Sequence, residues 1–146
     1  MKAALLDVNV LVALFWPTHD HHEKTQNWFR HHSTREWATC PLTQSSFVRI
    51  VSNPMFSRSA VTVEEATNLL AKNLEHPSHV FWPAGARYLD LIESFVGRIV
   101  GHQQVTDSYL LGMAIHNRGT LVTMDRGILR LLPDKLRDRG VVELVQ

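Results

Sequence analysis

Short apolar runs of strand length alternate along this chain with helix-length segments, and no other feature restricts its fold as much. The runs are Ala3-Ala4-Leu5-Leu6, residues 36–40, residues 79–82, Leu121-Val122-Thr123 and residues 141–145. Each suits a buried strand. Between them lie helical stretches. Residues 10–15 form a short apolar one stopped by Pro17, and a polar one follows, with Asp20-x-x-Glu23 as a capping box and Trp28 and Phe29 as anchors. Residues 42–51 are entered from Pro41 and stopped by Asn53-Pro54. Thr62-x-x-Glu65 opens another helix, with Ala66, Leu69, Leu70 and Leu74 at helical spacing. Residues 88–95 and 107–116 complete the set; the latter is nearly all apolar, is expected to be buried, and has Gly119 as its C-terminal cap. Asp125-Arg126-Gly127 is expected to turn the chain. The alternation predicts an α/β fold in three α/β/α layers, with a central parallel sheet of four to five strands.

The chain has 146 residues and fits a single domain over 1–146. Hydrophobic residues make up 45%, charged residues 20%, and the formal net charge is +1. This balance excludes a disordered chain. It also lacks the basic excess of a dedicated nucleic-acid binder, so contact with RNA or DNA would need a local patch or metal ions. Cys40 is the sole cysteine, which rules out an internal disulfide and suits a reducing cytosol. Asp7 comes too early for a signal peptide, and no apolar run approaches the roughly 18 residues that span a bilayer. The expectation is a soluble, cytoplasmic protein.

In a parallel α/β sheet, ligands sit beyond the carboxyl ends of the strands. Asp7 ends the first run, Asp125 follows the fourth, and Asp107 opens the apolar helix that leads into the fourth. Singly, each reads as a helix cap. Together at one sheet edge they repel each other, and a divalent cation offsets that repulsion. Mg²⁺ or Mn²⁺ takes hard oxygen ligands and keeps waters and substrate phosphate in its shell. Such a metal makes a nucleophile of bound water near neutral pH, and a second would stabilise the leaving oxygen at phosphorus. No Ser-His-Asp or Cys-His arrangement is evident, and no P-loop occurs.

Four blocks in order carry a resemblance. They are Ala4 through Leu14, Cys40-Pro41-Leu42-Thr43-Gln44-Ser45-Ser46-Phe47-Val48-Arg49-Ile50, Gly101 through Leu111, and Leu121-Val122-Thr123-Met124-Asp125-Arg126-Gly127. The set resembles a PIN domain of the VapC toxin type. That resemblance implies a Mg²⁺- or Mn²⁺-dependent endoribonuclease, the toxin half of a toxin–antitoxin pair. It also implies a homodimer and a small cognate antitoxin that blocks the active-site groove. Asp7, Asp107 and Asp125 would be the metal ligands. The second block of the family usually carries a glutamate where this chain has Gln44, a neutral amide that can offer oxygen but no charge. One metal is then expected to bind well and a second poorly.

Neighbouring residues carry two readings each. Asn9 holds a metal-bound water or serves the turn. Thr123 bonds a ligand carboxylate or is a plain strand residue. Thr106 supports the ligands or caps the helix. Arg49 and Arg126 contact phosphate or are surface cations. His19, His21 and His22 make a zinc site conceivable, but their spacing is that of a solvated helix start. His102 approaches substrate or fixes the loop before Asp107. Trp16, Trp28, Phe29 and Phe47 read as core or interface aromatics. A receiver domain would need a lysine after a late strand, and a haloacid-dehalogenase site needs Asp-x-Asp where this chain has Asp7-Val8-Asn9. The other alternative is a degenerate, non-catalytic PIN-like module, supported by Gln44 alone.

Overall fold

In the computed structural model, which describes residues 1–59 and 61–146, five strands form one sheet. They are β1 (Ala4–Leu6), β2 (Trp37–Thr39), β3 (His79–Phe81), β4 (Thr120–Thr123) and β5 (Val142–Leu144). Their order is β3-β2-β1-β4-β5, and every pairing is parallel. The helices are α1 (Val8–Phe15), α2 (His22–His31), α3 (Pro41–Val51), α4 (Val63–Asn73), α5 (Tyr88–Ile92), α6 (Gln104–His116) and α7 (Asp134–Arg137). None is long and apolar enough to cross a membrane.

The three-layer expectation holds, for a reason visible in β1. Its three residues are fully buried, and they alternate sides. Ala4 and Leu6 join a core with residues of α1, α3 and α4; Leu5 joins a second core with residues of α5 and α6. A strand apolar on both faces needs helices on both faces. The chain builds β1, β2 and β3 in one direction, then returns to place β4 on the other side of β1. The strand order reverses between β1 and β4, which is where a sheet of this kind opens a crevice.

Several local expectations need correction. The Asp20 capping box does not form: α2 starts at His22, its N-cap is His21, and no side chain caps it. The Thr62 box does form, with reciprocal bonds of 3.1 and 3.2 Å. The helix expected over 88–95 ends at Ile92 and is followed by a 3₁₀ turn at Val96–Arg98. After Asp125 the chain enters a second 3₁₀ segment, Arg126–Leu131, rather than a simple turn.

Gly119 is not the left-handed cap of α6. That conformation falls on Arg118 (φ 56°), while the Gly119 N–H reaches Ala114 O at 2.7 Å and the Arg118 N–H reaches Ile115 O at 3.0 Å. These paired bonds make a Schellman closure. Gly119 is needed for space: a Cβ there would overlap the Trp82 ring and the carbonyl of Ala3.

Candidate active site

Asp7 follows the last residue of β1 and is the N-cap of α1. Its Oδ1 accepts from the Val8 N–H at 2.7 Å. Its Oδ2 accepts from the Thr123 hydroxyl at 2.7 Å and, at 3.5 Å, from the Asn9 amide. Thr123 is the last residue of β4 and is fully buried. Its oxygen accepts from the Asp125 N–H at 3.1 Å and from Asn9 Nδ2 at 3.3 Å. Asn9 Oδ1 accepts from the Met124 N–H at 3.3 Å. Thus Asn9 and Thr123 tie the β1–α1 turn to the end of β4, and the hydrogen-bonding capacity of the Thr123 hydroxyl is fully used. Asp125 caps the 3₁₀ segment, its Oδ1 accepting from the Gly127 N–H at 2.8 Å.

Two of the three aspartates therefore do cap helices, as the plainest reading of each had it. Asp107 does not. Helix α6 begins three residues earlier than expected, at Gln104 with Gln103 as N-cap, so Asp107 lies inside the first turn. Thr106 sits in that same turn, exposed, and caps nothing.

The carboxylates feel one another. Burial, and then Asp7 and Asp125 in that order, push the Asp107 carboxyl up to about 6. Burial also pushes Asp7 up; the Thr123 hydroxyl and the Val8 N–H oppose this, and Asp125 adds to it. Desolvation and like charge both disfavour ionisation, and a cation at the cleft would relieve both. Among the described residues, no group of three or more His, Cys, Asp or Glu side chains closes on a single point. The aspartates do not form an all-protein cage. The donor set is all hard carboxylate oxygen, and it would suit a hard cation whose shell is completed by waters and phosphate oxygens.

Asp107 and Asp125 line a cleft of about 600 Å³ together with Arg98, His102, Gln103, Gln104 and Arg130, among others. That volume lies in the range of roughly 300–1,000 Å³ typical of ligand sites. Arg49 and Arg126, the arginines nearest the acidic blocks in sequence, are exposed and do not line it. Arg98 and Arg130 do, and sequence proximity missed both. Arg130 follows Asp125 along the 3₁₀ segment, and Arg98 ends the 3₁₀ turn upstream of the loop that carries His102.

Gln44 lies in the first turns of α3 but does not line the cleft. Its Nε2 donates to Thr39 Oγ1 at 2.9 Å, and Thr39 Oγ1 bonds His79 Nε2 at 2.8 Å. The amide is thus tied to the end of β2. Among the described residues, His19, His21 and His22 form no metal-binding group either. Trp28 donates to Glu143 at 3.2 Å and packs against the core that holds Ala4 and Leu6, and Phe47 is fully buried in that core.

The PIN domain family matches residues 4–132 of the chain. The chain is 41% identical to ribonuclease VapC38 of Mycobacterium tuberculosis over 97% of both proteins. It is 40% identical to ribonuclease VapC44 of the same organism, over 86% of this chain and 87% of that one. Its fold superposes on VapBC2 from Rickettsia felis, solved bound to a DNA fragment from the VapBC2 promoter, with a TM-score of 0.66, 16% identity and 99% of both chains covered. FitAcB from Neisseria gonorrhoeae gives a TM-score of 0.59 at 18% identity, over 98% of this chain and 96% of that one. With the PIN model matching residues 4–132 and 41% identity to a VapC ribonuclease over 97% of both chains, the chain belongs to the PIN-domain family, in its VapC-type branch.

Proposed function

We propose that this protein is a divalent-metal-dependent endoribonuclease, the toxin of a toxin–antitoxin pair, which hydrolyses phosphodiester bonds in structured RNA. The reading is supported by the cleft that Asp107 and Asp125 line, with Asp7 near enough to raise Asp107, in a chain with VapC ribonucleases as relatives over nearly its whole length. Asp7, Asp107 and Asp125 would hold Mg²⁺ or Mn²⁺. When bound, such an ion lowers the pKa of a water ligand and polarises the phosphate. The chain's own residues do the rest. Thr123 and Asn9 fix the Asp7 carboxylate, the Gly127 N–H fixes that of Asp125, and Asp107 presents a carboxylate that gives up its proton only near pH 6. Thr106 takes no part in this scheme, and Arg49 and Arg126 lie outside the cleft.

The family also suggests a small cognate antitoxin and a homodimer. Gln44 favours one further reading, a non-catalytic PIN module, because its amide is bonded to Thr39 rather than lining the cleft. Incubation of the purified protein with structured RNA and Mg²⁺ or Mn²⁺ separates the two. Cleavage that disappears in Asp107→Asn and in Asp125→Asn supports the nuclease. Binding of RNA without cleavage, unchanged in those variants, supports the module and overturns the proposal.

A further inference from the structure

The cleft holds two arginines and two carboxylates that do not pair. The ion pairs among the described residues are Arg35–Glu143, Arg87–Asp90 and Arg137–Asp134, and none involves Arg98, Arg130, Asp107 or Asp125. Opposite charges that share a cleft without neutralising each other remain available to a ligand bearing both a metal-bridged anion and further negative groups.

The two arginines come from different walls. Arg98 ends the 3₁₀ turn Val96–Arg98, upstream of the loop that leads into Asp107. Arg130 lies on the 3₁₀ segment that Asp125 caps. Each carboxylate of the cleft thus has an arginine on its own stretch of chain. Both arginines are exposed, so neither holds the core together. The protein has a formal charge of only +1, so overall charge contributes little to attracting a polyanion, and local cations must do it.

We propose that Arg98 and Arg130 are the phosphate-binding residues of this cleft. They take backbone phosphates of a single-stranded stretch of RNA adjacent to the phosphate positioned at the aspartates. This rests on the nuclease reading above. The guanidinium forks donate to non-bridging phosphate oxygens in pairs, and because they contact no base edge they position the strand without reading its sequence.

The test is direct binding of a short fluorescein-labelled single-stranded RNA, followed by anisotropy over a series of salt concentrations. The protein carries Asp107→Asn throughout to stop cleavage, and a chelator removes metal. Adding Arg98→Ala or Arg130→Ala should weaken binding several-fold and flatten the plot of log affinity against log salt by about 0.7 per arginine. Adding Arg49→Ala or Arg126→Ala should leave the slope unchanged. Lysine at 98 or 130 should keep the slope while losing part of the affinity, since the charge remains and the fork does not. Unchanged slopes in both alanine variants, with RNA cleavage intact in the unmodified protein, overturn this assignment and leave the nuclease reading standing. An unmodified protein that neither cleaves nor binds RNA overturns both.

Discussion

Thr123 and Thr39 occupy equivalent places and do opposite things. Each is the last residue of a buried parallel strand, β4 and β2 respectively, and each is fully buried. Thr123 gives its hydroxyl hydrogen to the Asp7 carboxylate at 2.7 Å. Thr39 accepts from the Gln44 amide at 2.9 Å, and its remaining bond runs to His79 Nε2 at 2.8 Å. Burial, opposed by a backbone bond to Leu74, holds His79 below its ordinary 6.5, which favours a neutral ring whose Nε2 can accept the hydroxyl hydrogen. A hydroxyl has one hydrogen to give. Where no histidine competes for it, it steadies a carboxylate; where one does, it suits an amide. The pair of threonines thus gives a physical reason for a charged residue at 7 and a neutral one at 44.

The largest effect is expected from Thr123→Val. It removes the donor to a buried carboxylate, which should cost about 2 kcal/mol of stability and push Asp7 further up. Thermal unfolding and the pH profile of RNA cleavage would check this, and an unchanged melting temperature would show that the Thr123 bond contributes nothing. Thr39→Val breaks a bond between neutral groups and should cost about 1 kcal/mol. Equal losses for the two variants would erase the contrast between the sites.

Gln44→Glu sharpens the comparison. The new carboxylate draws the Thr39 hydrogen to itself, and His79 must then supply a proton of its own. The imidazole midpoint, followed by NMR, should rise from its present depressed value. Identical histidine titrations for the two proteins would refute the coupling.

The smallest effect concerns Asp107. Its ordinary value of 3.8 rises to about 6 on folding, so the folded state favours the protonated carboxyl. That contribution is full below pH 3.8 and is lost as the pH rises through 6. With metal withheld, Asp107→Asn should stabilise the protein at neutral pH by on the order of 1 kcal/mol once solvent screening of this half-buried group is allowed for. The gain should vanish near pH 4. A gain that persists undiminished in acid would trace to helix propensity instead. Metal affinity of the unmodified protein should fall on acidification through about pH 6, because the ligand must give up its proton.

Much of this was legible in the residues. The strand runs, the parallel layers and the edge position of Asp7 and Asp125 follow from short-range periodicity. The sequence suggested a capping role for Asp107, but α6 starts earlier because Gln103 and Gln104 continue the turn from Gly101. Arg98 and Arg130 were not singled out because nearness in sequence favours Arg49 and Arg126, whereas a 3₁₀ segment carries Arg130 to the cleft and leaves Arg126 outside it.

The amino-acid sequence by itself determined the α/β class and the identity of the acidic residues, because apolar periodicity and residue chemistry are local properties. Only the tertiary structure decided which groups share a hydrogen. The Thr123–Asp7 bond spans 116 positions and the Thr39–His79 bond spans 40. Strand order and register bring those partners together, and neither can be read from a single stretch of chain.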